Sequence, residues 1–156
     1  MVLYAIVRIR GTVDVPPDVE TTLRLLRLTR KYSAVIYPKN ETIDGMLQVV
    51  KDWVTWGEVD REVLKELLLK RGRLPGNRRL SEEGVKNVLG ITLDELLDNL
   101  MEGKLLWHKL DGKVKPVFRL HPPKGGFKRS TKKPYKAGGE LGYRGSEINA
   151  LLKKMI

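Results

Sequence analysis

The residues with the clearest chemistry lie between His121 and Gly145. Seven of them are Lys or Arg (Lys124, Lys128, Arg129, Lys132, Lys133, Lys136 and Arg144), and only Glu140 opposes them. Phe127, Tyr135 and Tyr143 are interleaved with the cations, and glycine pairs stand at Gly125-Gly126 and Gly138-Gly139. This mixture suits a polyanion. Ammonium and guanidinium groups displace the counterions condensed on phosphates. The aromatics either stack on unpaired bases or anchor the segment to the protein. The stretch Lys124-Gly-Gly-Phe-Lys-Arg-Ser-Thr131 is faintly similar to a phosphate-cradling loop, but it lacks the G-x-x-x-x-G-K-[ST] spacing and the strand leading directly into a helix, so a nucleotide site is not expected.

Catalytic groups are scarce. By residue type only His108 and His121 could serve as neutral-pH acid–base groups, and a structural or RNA-contact role is expected of them rather than catalysis. Glu82, Glu83, Asp94, Glu95, Asp98 and Glu102 are explained by helix starts and a solvated face. No set of side chains has metal-ligand spacing, and the chain has no cysteine, so no cofactor and no metal are expected. An enzyme acting on phosphate groups would have only Glu140 and His121 near the glycine-rich loop. A free regulator binding messenger RNA or DNA would share the same basic surface.

The elements that position these residues begin with a neutral unit. Residues 1–60 hold eight Lys/Arg and eight Asp/Glu, so the whole net charge of +11 falls in residues 61–156. That split suggests a scaffold followed by a polyanion-binding elaboration. No apolar run approaches the roughly 18–20 residues of a membrane helix, and no signal peptide is visible. A cytoplasmic protein is expected.

Residues 3–10 alternate as a strand, with Leu3, Ala5, Val7 and Ile9 on one face and Tyr4, Ile6 and Arg8 on the other. Pro16-Pro17-Asp18 opens a helix with Val19, Leu23, Leu26 and Arg30 on one stripe; Arg24, Arg27, Arg30 and Lys31 are its candidate RNA contacts. A strand over 33–37, a helix from Ile43 to about Trp53 and a strand over 54–59 follow. The expectation is an α+β fold: a three-stranded β-α-β-α-β ferredoxin-like core, helices on one face, with right-handed connections between parallel neighbours.

After the core, residues 61–71 read as a helix headed by Asp60, and residues 73–79 as a basic turn. Lys70, Arg71, Arg73, Arg78 and Arg79 are candidate phosphate contacts there. An acidic helical pair spans 81–102, with Thr92 and Glu95 forming a capping box, and is expected to face away from the polyanion. Asp111-Gly112 predicts a hairpin between residues 105–110 and 113–120, with Pro116 confining the second arm to a sheet edge. The basic arm has no apolar periodicity of its own, yet the chain closes with an amphipathic helix after Ser146. Ile148, Leu151, Leu152 and Met155 share its stripe, so the arm is expected to be tethered at both ends. The domain organisation expected is a core over 1–60 and an elaboration over 61–156 packed on it.

Several local motifs, in this order, resemble the archaeal and eukaryotic branch of the universal large-ribosomal-subunit protein family numbered thirty, whose eukaryotic members carry the number seven. They are Thr22-Leu-Arg-Leu-Leu-Arg-Leu28, Gly45-Met-Leu-Gln-Val-Val50, Trp56-Gly57, Lys70-Arg-Gly72, Lys124-Gly-Gly-Phe-Lys-Arg-Ser-Thr131 and Gly138-Gly-Glu-Leu-Gly-Tyr-Arg144, leading into Ile148-Asn149. The resemblance covers essentially the whole chain. It implies a non-enzymatic, ribosome-bound protein that binds large-subunit rRNA in the neighbourhood of 5S rRNA, beside other large-subunit proteins. It places Lys124, Gly125, Gly126, Lys128 and Arg129 in an RNA-contacting arm. Eukaryotic members carry a long basic N-terminal extension; the short start here favours an archaeal source.

Overall fold

A computed structural model describes residues 2–110 and 112–156. Strand β1 (Leu3–Arg8) is central in the first unit, and β2 (Ser33–Pro38) and β3 (Val54–Glu58) flank it. Both flanking strands run antiparallel to β1, with Ile6 opposite Val35 on one side and Trp56 on the other. The expectation of parallel neighbours is thereby corrected. The parallel pair is β2 and β3, and β1 lies between them, as in a split βαβ unit. The alternation in β1 is as expected. Leu3, Ala5 and Val7 enter one core, and Tyr4 and Ile6 enter the other.

Helix α1 (Pro17–Leu25) ends sooner than its apolar stripe implies. Arg27 takes a left-handed conformation at φ 66°, and the Leu28 amide donates to the Leu23 carbonyl at 2.8 Å. This is a Schellman end with arginine in the usual glycine position. Arg24 is therefore on the helix, whereas Arg27, Arg30 and Lys31 belong to the turn that returns the chain to β2. Helix α2 (Glu41–Val50) is capped by Asn40, whose side chain accepts the Ile43 amide at 2.8 Å. Helices α1 and α2 bury Val19, Leu23, Ile43 and Leu47 against one face of the sheet.

The opposite face is covered by the elaboration. Helix α3 (Arg61–Arg71) is followed by a small hairpin, β4 (Arg73–Leu74) and β5 (Arg78–Arg79). Helices α4 (Glu82–Leu89) and α5 (Leu93–Glu102) follow, started by Ser81 and Thr92 side chains that accept the Gly84 and Glu95 amides. Their apolar faces join those of α3 and the closing helix α6 (Ile148–Met155) in one core. Ile148, Leu151, Leu152 and Met155 are all buried, as their spacing predicts. Ser146 does not cap this helix. A single 3₁₀ turn over Gly145–Glu147 leads into it, and Glu147 occupies the cap position.

Two further expectations are corrected. The hairpin about Asp111-Gly112 does not form from two extended arms. Trp107–Leu110 is a 3₁₀ turn, and only Phe118–Arg119 is a strand (β6), pairing with β2 at the sheet edge. Trp107 is buried and stacks on Phe118 at 5.8 Å, so packing overrides the local turn signal. Asp111 itself lies outside the described residues. The basic stretch, expected to have no face of its own to bury, is built into the sheet. It supplies β7 (Ser130–Pro134) and β8 (Gly139–Tyr143), and β8 runs parallel to β3. The sheet is thus six-stranded in the order β6-β2-β1-β3-β8-β7, and residues beyond 60 complete both of its edges.

Candidate nucleic-acid interface

The arm is pinned by a buried ion pair. Arg144 and Glu140, with side chains 5% and 8% exposed, meet at 2.8 Å. Arg144 Nε also donates to Thr55 Oγ1 at 2.7 Å, and the Thr55 hydroxyl donates to the Gly142 carbonyl at 2.8 Å. The second Glu140 oxygen accepts the Arg129 amide at 3.2 Å. One carboxylate therefore ties both ends of the arm to β3. Arg144, a candidate contact by residue type, is thus only 8% exposed as a residue, and most of its guanidinium is engaged inside the protein. No sequence periodicity marks Glu140 for this role, although its isolation among seven cations is a signal of an internal partner.

Arg129 is half committed. Its guanidinium donates to the Tyr135 carbonyl at 2.7 Å and lies 4.4 Å from the Tyr135 ring centre, while Arg144 lies 4.9 Å from the same ring. Phe127 stacks on Tyr32 at 6.3 Å and anchors the start of the arm. Gly125 and Gly126 both have positive φ, at 79° and 74°, which lets the chain double back from the end of α6. The Lys124 amide donates to the Lys154 carbonyl there, at 3.0 Å. The side chains of Lys124, Lys128, Lys132, Lys133 and Lys136 are exposed.

Phe127 and Thr131 border a polar cleft of about 450 Å³ with Arg10, Lys31 and Tyr32. The fold thus brings Lys31 to the arm and adds Arg10, which sequence reading passed over as the end of a strand. Arg10 lies 4.9 Å from the Trp53 ring centre and donates to the Asp52 carbonyl at 3.2 Å. Arg27 is half-buried and donates to the His108 carbonyl at 3.0 Å. Arg24 is exposed on α1, beside a separate small cavity that contains no arm residue, and Arg30 is exposed in the turn after it.

The second basic group gathers at the end of α3. Lys70, Arg78 and Arg79 are exposed, and Arg79 Nε donates to the Leu69 carbonyl at 3.2 Å. Arg73 donates to the Gly72 carbonyl at 2.9 Å. Arg71 reaches the Ile156 oxygen at 3.3 Å, and His121 Nε2 lies 3.0 Å from that same oxygen. The end of α6 therefore lies between the hairpin cations and the root of the arm.

Neither site proposed for chemistry by a phosphate-acting enzyme survives as a pair. Glu140 is enclosed by Arg144 and the Arg129 amide, and His121 lies against the end of α6. His108 packs on Tyr37 at 4.8 Å, and burial, followed by the charges of Arg27 and Lys109, lowers its pKa from 6.5. The folded state then resists a proton that the unfolded chain accepts. Stability should fall as pH drops below about 6.5, and His108→Gln should flatten that part of the curve. Denaturant midpoints between about pH 7.5 and pH 5 check this. Among the described residues no group of three or more His, Asp or Glu is placed to hold a metal ion, and no helix is long and apolar enough to cross a membrane.

Fold and surface together describe a ferredoxin-like α+β scaffold that carries its excess positive charge on appended elements. The profile of the family described as Ribosomal protein L30p/L7e matches residues 4–54. The chain is 58% identical over 160 residues to a protein of Staphylothermus marinus, covering 99% of this chain and 98% of that one. It is 57% identical to one of Hyperthermus butylicus, with 99% and 90% covered, and 53% identical to one of Aeropyrum pernix, with both chains covered in full (100%). All three carry the name Large ribosomal subunit protein uL30. The chain belongs to the ribosomal protein L30p/L7e family.

Proposed function

We propose that this chain is a structural constituent of the large ribosomal subunit, bound to large-subunit rRNA in the cytoplasm, next to other large-subunit proteins. Its family is structural rather than enzymatic. The observation that carries the reading is the near-complete match, in both directions, to archaeal relatives named as large-subunit proteins. The placement of the charge supports it. In this reading residues 1–60 are the scaffold, and residues 61–156 are the elaboration that holds RNA. The contacts are Arg10 and Lys31 with the exposed arm lysines, and Lys70, Arg78 and Arg79 at the hairpin. A position close to 5S rRNA is part of the same proposal and rests on the family resemblance. The acidic helices α4 and α5 face away from the RNA.

Exposed lysines are the right probes, because removing them leaves the packing of the arm intact. Lys124, Lys128, Lys132 and Lys133 changed together to Gln should reduce incorporation into large subunits. The slope of log affinity for large-subunit rRNA against log salt should become shallower by about 3–4, since each duplex phosphate contact contributes about 0.9. An unchanged slope with unchanged incorporation would remove the arm from the interface. Arg129 is left in place because its guanidinium holds Tyr135.

A further inference from the structure

The sheet face carrying α1 and α2 is incompletely covered. The core beneath those helices includes residues of β1, β2 and β3 but none of β8. Where β8 extends past α2, a largely apolar groove of about 320 Å³ remains, bordered by Gln48, Lys51, Trp56, Tyr135, Lys136 and Tyr143. It opens into a shallower hollow that shares Gln48, Trp56, Lys136 and Tyr143. We propose that this groove takes one unpaired RNA base, stacked on Tyr135 and Tyr143, with its phosphate at Lys51 and Lys136. The proposal rests on the RNA-binding reading above and names a contact within it.

The aromatic rings are held in place before any ligand arrives. The Tyr143 ring lies 6.3 Å from Trp56 and 6.5 Å from Tyr4, and its hydroxyl donates to the Glu58 carboxylate. It nevertheless remains 39% exposed. Tyr135 is fixed by the Arg129 and Arg144 guanidinium groups and borders both the groove and the cleft between arm and α6. Rings fixed in advance lose little freedom on stacking. Phe127, the third aromatic of the arm, stacks on Tyr32 and borders neither the groove nor the hollow.

Charge and backbone select the ligand. Lys51 and Lys136 form no ion pair among the described residues. Of the three carboxylates near the groove and hollow, Asp44 is paired with Lys39 at 2.9 Å and Glu58 accepts from Tyr143, which leaves Asp52. An anionic ligand with a flat apolar part fits that balance. An extended peptide fits less well, because β8 is already paired on both sides, with β3 and with β7. A duplex keeps its bases stacked and paired, so the ligand must be single-stranded at this point.

The test uses the full chain with two probes of about ten nucleotides, an oligoadenylate and an RNA duplex, in fluorescence anisotropy at fixed low salt. Tyr135→Ala with Tyr143→Ala should weaken oligoadenylate binding by roughly ten-fold or more, the scale of one lost stack, and duplex binding by less than about two-fold. Tyr135→Phe with Tyr143→Phe keeps both ring faces and should bind the single strand within about two-fold of the parent. Equal losses on both probes, or no loss on the single strand, would overturn the site. So would a parent chain that binds duplex but not oligoadenylate, which leaves the RNA-binding reading standing. A parent that binds neither probe removes that reading as well. A neighbouring protein's segment found in the groove of assembled subunits would also overturn it.

Discussion

Glu140→Ala is expected to destabilise the protein by about 3–5 kcal/mol, the range found when one partner of a buried ion pair is removed. The charge left behind is the reason. Arg144 is only 8% exposed as a residue, so its charge is poorly solvated without Glu140. Its remaining partners are the hydroxyl of Thr55, the main-chain carbonyl of Glu140 and the Tyr135 ring, and none carries a formal charge. The same substitution frees the Arg129 amide at the start of β7. Both anchors of the arm then loosen together, so hydrogen exchange should rise across residues 129–144 before the α1–α2 face is affected. Glu140→Leu with Arg144→Met should recover most of the loss, since a hydrophobic pair of similar volume removes the desolvation cost together with the attraction. Denaturant unfolding of the two variants against the parent measures the difference. Equal stability of the single and double variants would show that the network, rather than the stranded charge, carries the energy.

This pair also shows what the sequence could and could not reveal. The core was legible because its signals are local. The alternation from Leu3 to Val7, the Asn40 and Thr92 caps and the stripe of α6 each follow from periodicity or from a side chain three residues from its partner. The direction of the strands was not legible. Antiparallel pairing of β1 with β2 depends on how the chain leaves α1, and there Arg27 and Tyr32 adopt positive φ without being glycine. Nothing in those residue types announces it. The arm was misread for a related reason. One strand, β7, is Ser-Thr-Lys-Lys-Pro, with no apolar alternation, and the other, β8, is Gly-Glu-Leu-Gly-Tyr, with two glycines in five residues. What holds them is a ladder with β3, 87 residues away between Thr55 and Gly142, and an ion pair whose members look like two surface charges. Of the candidate contacts, residue type identified the cations, and only packing separated exposed Lys128 and Lys132 from enclosed Arg144.

Gly57→Ala tests the other anchor of the elaboration and should be at least as damaging, with a loss above about 3 kcal/mol or failure to fold. Gly57 is buried in β3 opposite Ala5, and a Cβ there would overlap the carbonyl oxygen and carbon of Gly145. The obstacle is backbone, so no side-chain rotation relieves it. Gly145 begins the turn into α6 and is itself held at φ 60°, which leaves little room to yield. Asn149 locks the same corner. Its amide nitrogen donates to the Glu58 and Ser146 carbonyls at 3.0 and 2.9 Å, and its oxygen accepts the Asp60 amide at 2.8 Å. Displacing the turn breaks that clamp and lifts Ile148, Leu151, Leu152 and Met155 from their core. Gly45→Ala is the matched control. Gly45 lies inside α2 with nothing within 4 Å of the added carbon, so alanine should stabilise the protein by about 0.5–1 kcal/mol. Thermal or denaturant unfolding compares the two. If Gly57→Ala unfolds with the parent while Gly45→Ala gains stability, the approach of Gly145 to β3 is not what seats α6.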